Sequence, residues 1–253
     1  MKHVLAIIGG VLVAASLAGG SAVAGGDDAA SRPDSTVVYS GYDFSRRAYY
    51  SYLGVEHALN RDLGKDGFVL RAYGSFLHYE YVNNWVTVTG EAWQGDAMVG
   101  YHRDFGHFGA SVFIGLDYQD YKLSPDDPTA RVRGSEVGFK IAADLETDES
   151  QRLYFGLNGT YSTAFDTYWA RVRAGLRHGS IVVGPEFIAL GGTDYEAQRV
   201  GGFMSMKKAF FNSTLTISGG YQFVPGSNSG AAGQGSVAGA EGPYGAIGFS
   251  WTF

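Results

Sequence analysis

Apolar and polar residues alternate along most of this chain. Ala110, Val112, Ile114, Leu116 and Tyr118 fall on one side of a strand, and Ser111, Phe113, Gly115, Asp117 and Gln119 on the other. Val137, Phe139, Ile141 and Ala143 oppose Glu136, Gly138, Lys140, Ala142 and Asp144. Tyr168, Ala170, Val172, Ala174 and Leu176 oppose Trp169, Arg171, Arg173 and Arg177. Successive side chains of a strand point to opposite faces, so a period of two predicts strands with one greasy face and one small or polar face. Ile247, Phe249, Trp251 and Phe253 repeat the pattern at the far end, against Ala246, Gly248, Ser250 and Thr252.

Turn-forming residues divide the alternation into twelve predicted strands: 36–44, 47–59, 67–81, 85–102, 107–121, 132–146, 151–163, 167–178, 181–190, 196–206, 212–223 and 243–253. Most are longer than the ~5–6 residues usual in soluble sheets. They match the ~9–11 tilted residues that cross a bilayer. Backbone polar groups in lipid must all be paired internally, so strands can span only as a closed barrel. The predicted fold is therefore all-β, a transmembrane antiparallel outer-membrane β-barrel of about twelve strands. The first two segments leave a ten-strand reading open. The last strand, ending on an aromatic, is expected to pair with 36–44. With both ends of the sheet on the periplasmic side, the two longest connections, 122–131 and 224–242, fall outside. Segment 60–66 is a long turn for the inner side.

Composition sharpens this picture. The chain has 38 glycines and, as 16 Phe, 17 Tyr and 4 Trp, 37 aromatic residues. Barrels use both, aromatics at the membrane interfaces and glycines where the wall is crowded or curved. There is no cysteine, which excludes a disulfide framework and Cys-zinc sites. The net charge of −6 gives no support for nucleic-acid binding. Met1-Lys2-His3, an apolar Val4 to Ala18 and the small residues Ala22-Val23-Ala24 read as a signal peptide cut after Ala24. The expected organisation is a signal peptide at 1–24, a flexible periplasmic lead at 25–35 and a barrel domain at 36–253.

The inward pattern places charges in the lumen: Asp43, Glu56, Arg71, Asp96, Asp117, Glu136, Lys140, Arg171, Arg173, Arg177, Glu186 and Arg199. A narrow lumen tolerates such groups best as ion pairs. Glu186 and Glu136 are the expected partners of the arginine stripe at 171, 173 and 177. A polar track for a ligand is the other reading. Seven aromatics, Tyr79, Tyr81, Trp85, Trp93, Tyr118, Tyr121 and Trp169, could stack on sugar rings, although interfacial girdles account for most of them. No catalytic, cofactor-binding or metal residue is assigned. The histidines lack paired metal spacing, and no GxSxG, HExxH or Walker pattern occurs. Ser162 and Thr163 close the outer end of a strand without a histidine at their level.

Several runs resemble the cellulose biosynthesis protein BcsS family. They are Tyr39-Ser-Gly-Tyr-Asp-Phe44, Ala58-Leu-Asn-Arg-Asp-Leu63, Asp66-Gly-Phe-Val-Leu-Arg71 and Asp117-Tyr-Gln-Asp-Tyr-Lys-Leu-Ser-Pro-Asp-Asp-Pro128. Val132-Arg-Gly-Ser-Glu-Val-Gly-Phe-Lys140, Tyr161-Ser-Thr-Ala-Phe-Asp-Thr-Tyr-Trp-Ala-Arg171, Gly184-Pro-Glu186 and Ala197-Gln-Arg199 follow in order. The resemblance covers nearly the whole mature chain. It implies an exported β-rich protein associated with bacterial cellulose synthesis or secretion, and it carries over no catalytic residue. The expected partners are outer-membrane lipid and cellulose, another exopolysaccharide or cellulose-synthesis proteins. The expected role is a non-enzymatic accessory in exopolysaccharide export. A barrel-type lipid-modifying esterase or deacylase and a small-solute pore are the alternatives.

Overall fold

The computed structural model describes residues 34–207, 209, 212–225 and 241–253. The expected signal peptide, most of the lead and most of connection 224–242 lie outside the described residues. Twelve strands are described. The first six are β1 (Thr36–Ser45), β2 (Ala48–Ala58), β3 (Gly67–Asn83), β4 (Val86–Asp104), β5 (Phe108–Ser124) and β6 (Gly134–Thr147). The others are β7 (Leu153–Ser162), β8 (Tyr168–His178), β9 (Ile181–Gly191), β10 (Glu196–Lys207), β11 (Ser213–Phe223) and β12 (Gly242–Thr252). Each pairs antiparallel with its sequence neighbours, and β12 pairs with β1 to close a barrel. The closing register sets Ser40 against Phe249 and Tyr42 against Ile247. The predicted strand count and the predicted partner of the last strand both hold, and the ten-strand alternative falls. We call the end that carries Thr36 and Thr252 the inner end, and the opposite end the outer.

The two faces of the sheet follow the alternation. Val112, Ile114, Leu116, Val137, Phe139 and Ile141 point outward and are exposed, Phe139 by 73%. Their strand neighbours Phe113, Asp117, Gln119 and Ala142 are buried inside. The barrel thus reverses the usual order, with apolar side chains outside for lipid and polar ones within. A one-residue slip would put Lys140 and Asp117 into lipid, so the pattern fixes the register.

The strands are unequal. β3, β4 and β5 run 17, 19 and 17 residues, against 10 to 14 elsewhere. The outermost residue of β2, Ala48, pairs with Tyr79, so β3 continues four residues further. β5 was expected to stop at 121. It reaches Ser124 because Lys122 and Leu123 keep pairing with Glu91 and Gly90 of the extended β4. The wall formed by β3, β4 and β5 therefore stands above the rest of the outer rim. Its β3–β4 tip is a two-residue turn, Asn84-Trp85, with both residues at positive φ, 47° and 67°. Such tight hairpins require left-handed backbone at both positions. For Trp85, which is 93% exposed, that conformation costs about 1–2 kcal/mol.

Glycines fit rings to the inner wall. Gly41 lies opposite Tyr52, and Gly54 opposite Tyr39. A Cβ on Gly41 would lie 2.4 Å from the Tyr52 hydroxyl oxygen, and one on Gly54 would lie 2.3 Å from the Tyr39 ring. Each ring occupies the space that the absent side chain leaves free.

Candidate functional site

The lumen holds a cavity of about 1270 Å³, lined by side chains from all round the wall. Its charged residues form ion pairs, several of which reach across the lumen. On one side, Arg71 donates to Glu56 at 2.9 Å and also bonds Asp144 of β6. Its guanidinium stands 3.7 Å from the Phe113 ring centroid. Asp144 accepts from Asn158 at 2.8 Å, and Asn158 in turn accepts from Arg171 at 2.9 Å. The chain Glu56–Arg71–Asp144–Asn158–Arg171 thus links β2 to β8 through five side chains. Beside it, Lys140 donates to Asp96 at 2.6 Å and to Asp117 at 3.5 Å. Gln119 supports Asp117 with a 2.7 Å bond and reaches Thr167 at 2.8 Å.

The second half has its own pairs. Arg173 donates to Glu186 at 2.5 Å, and the Tyr244 hydroxyl donates to the other oxygen of Glu186 at 3.2 Å. Arg199 bonds Asp43 at 2.6 Å and Gln222 at 2.8 Å, joining β10 to β1 and β11. Low dielectric strengthens such contacts, but the desolvation cost nearly cancels the gain, so these pairs specify geometry more than they add stability.

Three predicted network residues stand apart from the pairs. Among the described residues Glu136 has no arginine within ion-pair distance. It sits at the outer end of β6, beyond the last residue of β7 that pairs there, and accepts from the Phe165 backbone N–H at 3.4 Å. Arg171 bonds Asn158 and lies 5.1 Å from the Trp169 ring centroid. Arg177, near the inner end, donates to the Asp148 carbonyl at 2.7 Å. Among the described residues no carboxylate lies within ion-pair distance of Arg171 or Arg177. Asp144, Asn158, Gln222 and Tyr244 belong to the lumen bonding scheme but were not assigned from sequence. Asn158 and Gln222 bond residues of adjacent strands, whereas Asp144 meets Arg71 and Tyr244 meets Glu186 from 73 and 58 residues away, which only the closed sheet brings within reach.

The outer mouth is built by three connections that lock together. In 125–133, Asp127 accepts from the Tyr81 hydroxyl at 2.8 Å, from Asn83 at 2.9 Å and from the Thr129 hydroxyl at 2.6 Å. These donors favour its charged form and hold its carboxyl well below the usual carboxylate range. Arg131 pairs with Asp194 of the β9–β10 connection at 2.7 Å, and Asp194 also accepts the backbone N–H groups of Arg131 and Val132. Thr193 bonds the Phe165 carbonyl of the β7–β8 turn at 2.8 Å through its hydroxyl. Phe165 packs edge-on against Tyr121, with ring centroids 5.2 Å apart.

The inner end differs. Val69, Met98, Phe113 and Ala142 form a buried apolar cluster of inward-facing side chains, and Leu63 of the long inner turn packs against it. The Leu63 N–H bonds the Asp34 carbonyl at 2.9 Å, tying that turn to the segment before β1.

Two further expectations are tested by position. Ser162 is buried and accepts the Ala164 N–H at 3.1 Å, a local turn contact. A serine–histidine contact exists elsewhere: His102 Nδ1 and Ser111 Oγ are 2.9 Å apart near the inner end. Among the described residues no carboxylate lies within ion-pair distance of His102. Of the seven aromatics set against girdles, Tyr79, Tyr81, Tyr121 and Trp169 line the cavity instead. Trp93 and Tyr118 are exposed on the outer face, and Trp85 is the hairpin tip.

A closed antiparallel barrel with a lipid-suited exterior and a polar, ion-paired lumen defines an outer-membrane β-barrel protein. One solved structure agrees on the fold. An outer-membrane channel from Pseudomonas putida F1 has 11% identity and a TM-score of 0.51, over 92% of this chain and 100% of its own. The β domain of the Bordetella autotransporter BrkA follows at 10% identity and a TM-score of 0.48, over 87% of this chain and 100% of its own. The KdgM porin shows 11% identity and a TM-score of 0.45, over 86% and 99%. Comparison with curated proteins gave no match. The chain belongs to the cellulose biosynthesis protein BcsS family, whose model matches residues 37–253. Membership ties this barrel to cellulose biosynthesis.

Proposed function

We propose that the protein is a non-enzymatic outer-membrane accessory of cellulose export, delivered by a cleavable signal peptide. Its outer rim contacts the glucan or the proteins that handle it. The observation that carries this reading is the built mouth, where Asp127 ties its connection to β3 and the Arg131–Asp194 and Thr193–Phe165 contacts join three connections over a cavity of about 1270 Å³. Fixed loops above a rigid barrel are where binding surfaces are usually placed. The apolar cluster around Leu63 at the inner end argues against free passage of small solutes. The expected contribution of connection 224–242 falls mostly on residues outside the description.

The test replaces residues 126–132 with a short Gly/Ser turn in the producing cell and measures secreted cellulose by dye binding. Reduced or mislocalised cellulose with normal amounts of folded barrel is the expected result. Unchanged secretion refutes the rim role. The 2.9 Å His102–Ser111 contact favours a second reading, a lipid-modifying enzyme. Ser111→Ala decides it: altered outer-membrane lipid composition supports an enzyme, and unaltered lipid removes it. Planar-bilayer conductance settles the pore alternative.

A further inference from the structure

The lumen wall is asymmetric. On β1 to β4, tyrosines stand directly opposite glycines: Tyr39 to Gly54, Tyr52 to Gly41 and Tyr79 to Gly90. A Cβ on Gly90 would lie 2.3 Å from the Tyr79 ring, as close as those on Gly54 and Gly41 lie to theirs. A ring this close to the glycine backbone covers it, and all three tyrosines line the cavity, Tyr39 and Tyr52 tilted by 54° to each other. Tyr52 stacks with Tyr73 at 5.8 Å and 23°, and Tyr79 with Tyr81 at 6.2 Å and 17°. The Tyr50 and Tyr73 hydroxyls meet at 2.5 Å. Rings with their hydroxyls thus stand in two groups, Tyr79 with Tyr81, which bonds Asp127 at the mouth, and Tyr39, Tyr50, Tyr52 and Tyr73 nearer the inner end.

The charges select what such a surface holds. Arg71, Lys140, Arg173 and Arg199 each already hold a carboxylate. Arg171 and Arg47 also line the cavity without a carboxylate partner among the described residues, so an acidic polysaccharide could pair with those two but would have to displace the acids held by the other four, whereas a neutral one displaces none. A β-linked glucan carries its hydroxyls around the edge of each pyranose and presents C–H groups on the flat faces. Those faces suit aromatic platforms, and the edges suit tyrosine hydroxyls. We infer that the tyrosine wall of β1 to β4 is a binding site for a segment of neutral β-linked glucan entering from the outer mouth. The inference rests on the cellulose reading above.

The experiment titrates cellohexaose, and separately a galacturonate oligomer of similar length, into the folded mature barrel in detergent by calorimetry. Saturable cellohexaose binding, with the galacturonate weaker, is expected. Tyr79→Ala should weaken it about tenfold, the scale of one lost aromatic stack, while Tyr79→Phe keeps most of the affinity. Heat-modifiable gel mobility checks that each variant is folded. No cellohexaose binding by wild type, galacturonate binding as tight, or an unaffected Tyr79→Ala variant each overturns the site. Failure here with loss of secretion on rim replacement removes the lumen site alone. Cellohexaose binding with unchanged secretion removes the rim reading instead.

Discussion

Removing the carboxylate at position 186 isolates a buried cation. The Glu186 side chain is fully buried and the Arg173 side chain is 10% exposed. Glu186 accepts from Arg173 at 2.5 Å and from the Tyr244 hydroxyl at 3.2 Å. Intact, the pair adds little net stability, because desolvation offsets attraction. Broken from one side, it costs about 3–5 kcal/mol. Glu186→Ala also leaves the Tyr244 hydroxyl without that acceptor, about 1 kcal/mol more. The variant should therefore lose about 4–6 kcal/mol of unfolding free energy, the sum of those two costs. Glu186→Gln keeps one acceptor oxygen, enough for Arg173 but not also for Tyr244 on the opposite side, and should lose about 1.5–3 kcal/mol, the worth of a hydrogen bond to a charged group. Arg173→Met with Glu186→Leu removes both charges and should return to within about 1 kcal/mol of wild type. Equilibrium urea unfolding in lipid vesicles, followed by tryptophan fluorescence, measures all three. A Glu186→Ala variant within about 1 kcal/mol of wild type, or a double variant no better than the single, would refute the reasoning.

Two other outcomes are expected. Ile141 lies on the lipid face in the middle of β6, opposite Ile114, so Ile141→Arg should cost about 2–4 kcal/mol in the same unfolding assay. An equal effect from Ser135→Arg at the strand end would contradict a mid-membrane placement. Asp127 titrates below the ordinary carboxylate range when folded. Its contribution is therefore complete above the unfolded value of about 4 and is lost only as pH falls through the lower folded value. The wild-type rim should resist proteolysis at pH 4, while Asp127→Asn should expose 125–133 to cleavage even at pH 7. Equal cleavage of the two at pH 7 would show that Asp127 does not hold the rim.

The alternation at 110–119 and 136–144 was enough to assign faces, because a half-buried strand repeats every two residues whatever its partners. Strand ends were less legible. Lys122 and Leu123 look like a loop start, and only the length of β4 shows that they still have a partner. The inward charges could be named one by one, yet their pairing could not. Arg71 with Asp144 and Arg199 with Asp43 join strands 73 and 156 residues apart in sequence. Glu136 shows the same limit from the other side. It shares a face with Lys140, but the height at which β6 enters the sheet sets it against Phe165 rather than an arginine. Tyr79 and Tyr81 could be named as candidates for stacking on sugars, but Tyr39 and Tyr52 were missed because each is set by a glycine in the next strand at one register.

The seam between β1 and β12 limits how this architecture can change over evolutionary time. Every strand runs opposite to both neighbours, and the ring closes on itself. Losing or gaining one strand would force two parallel neighbours or an open edge facing lipid, and an open edge leaves backbone groups unpaired. An all-antiparallel closed ring therefore loses or gains strands two at a time, as hairpins. The Asn84-Trp85 tip and the connections at 125–133 and 192–195 lie at one end of such hairpins. They can lengthen, shrink or be exchanged among relatives while the strand count stays even.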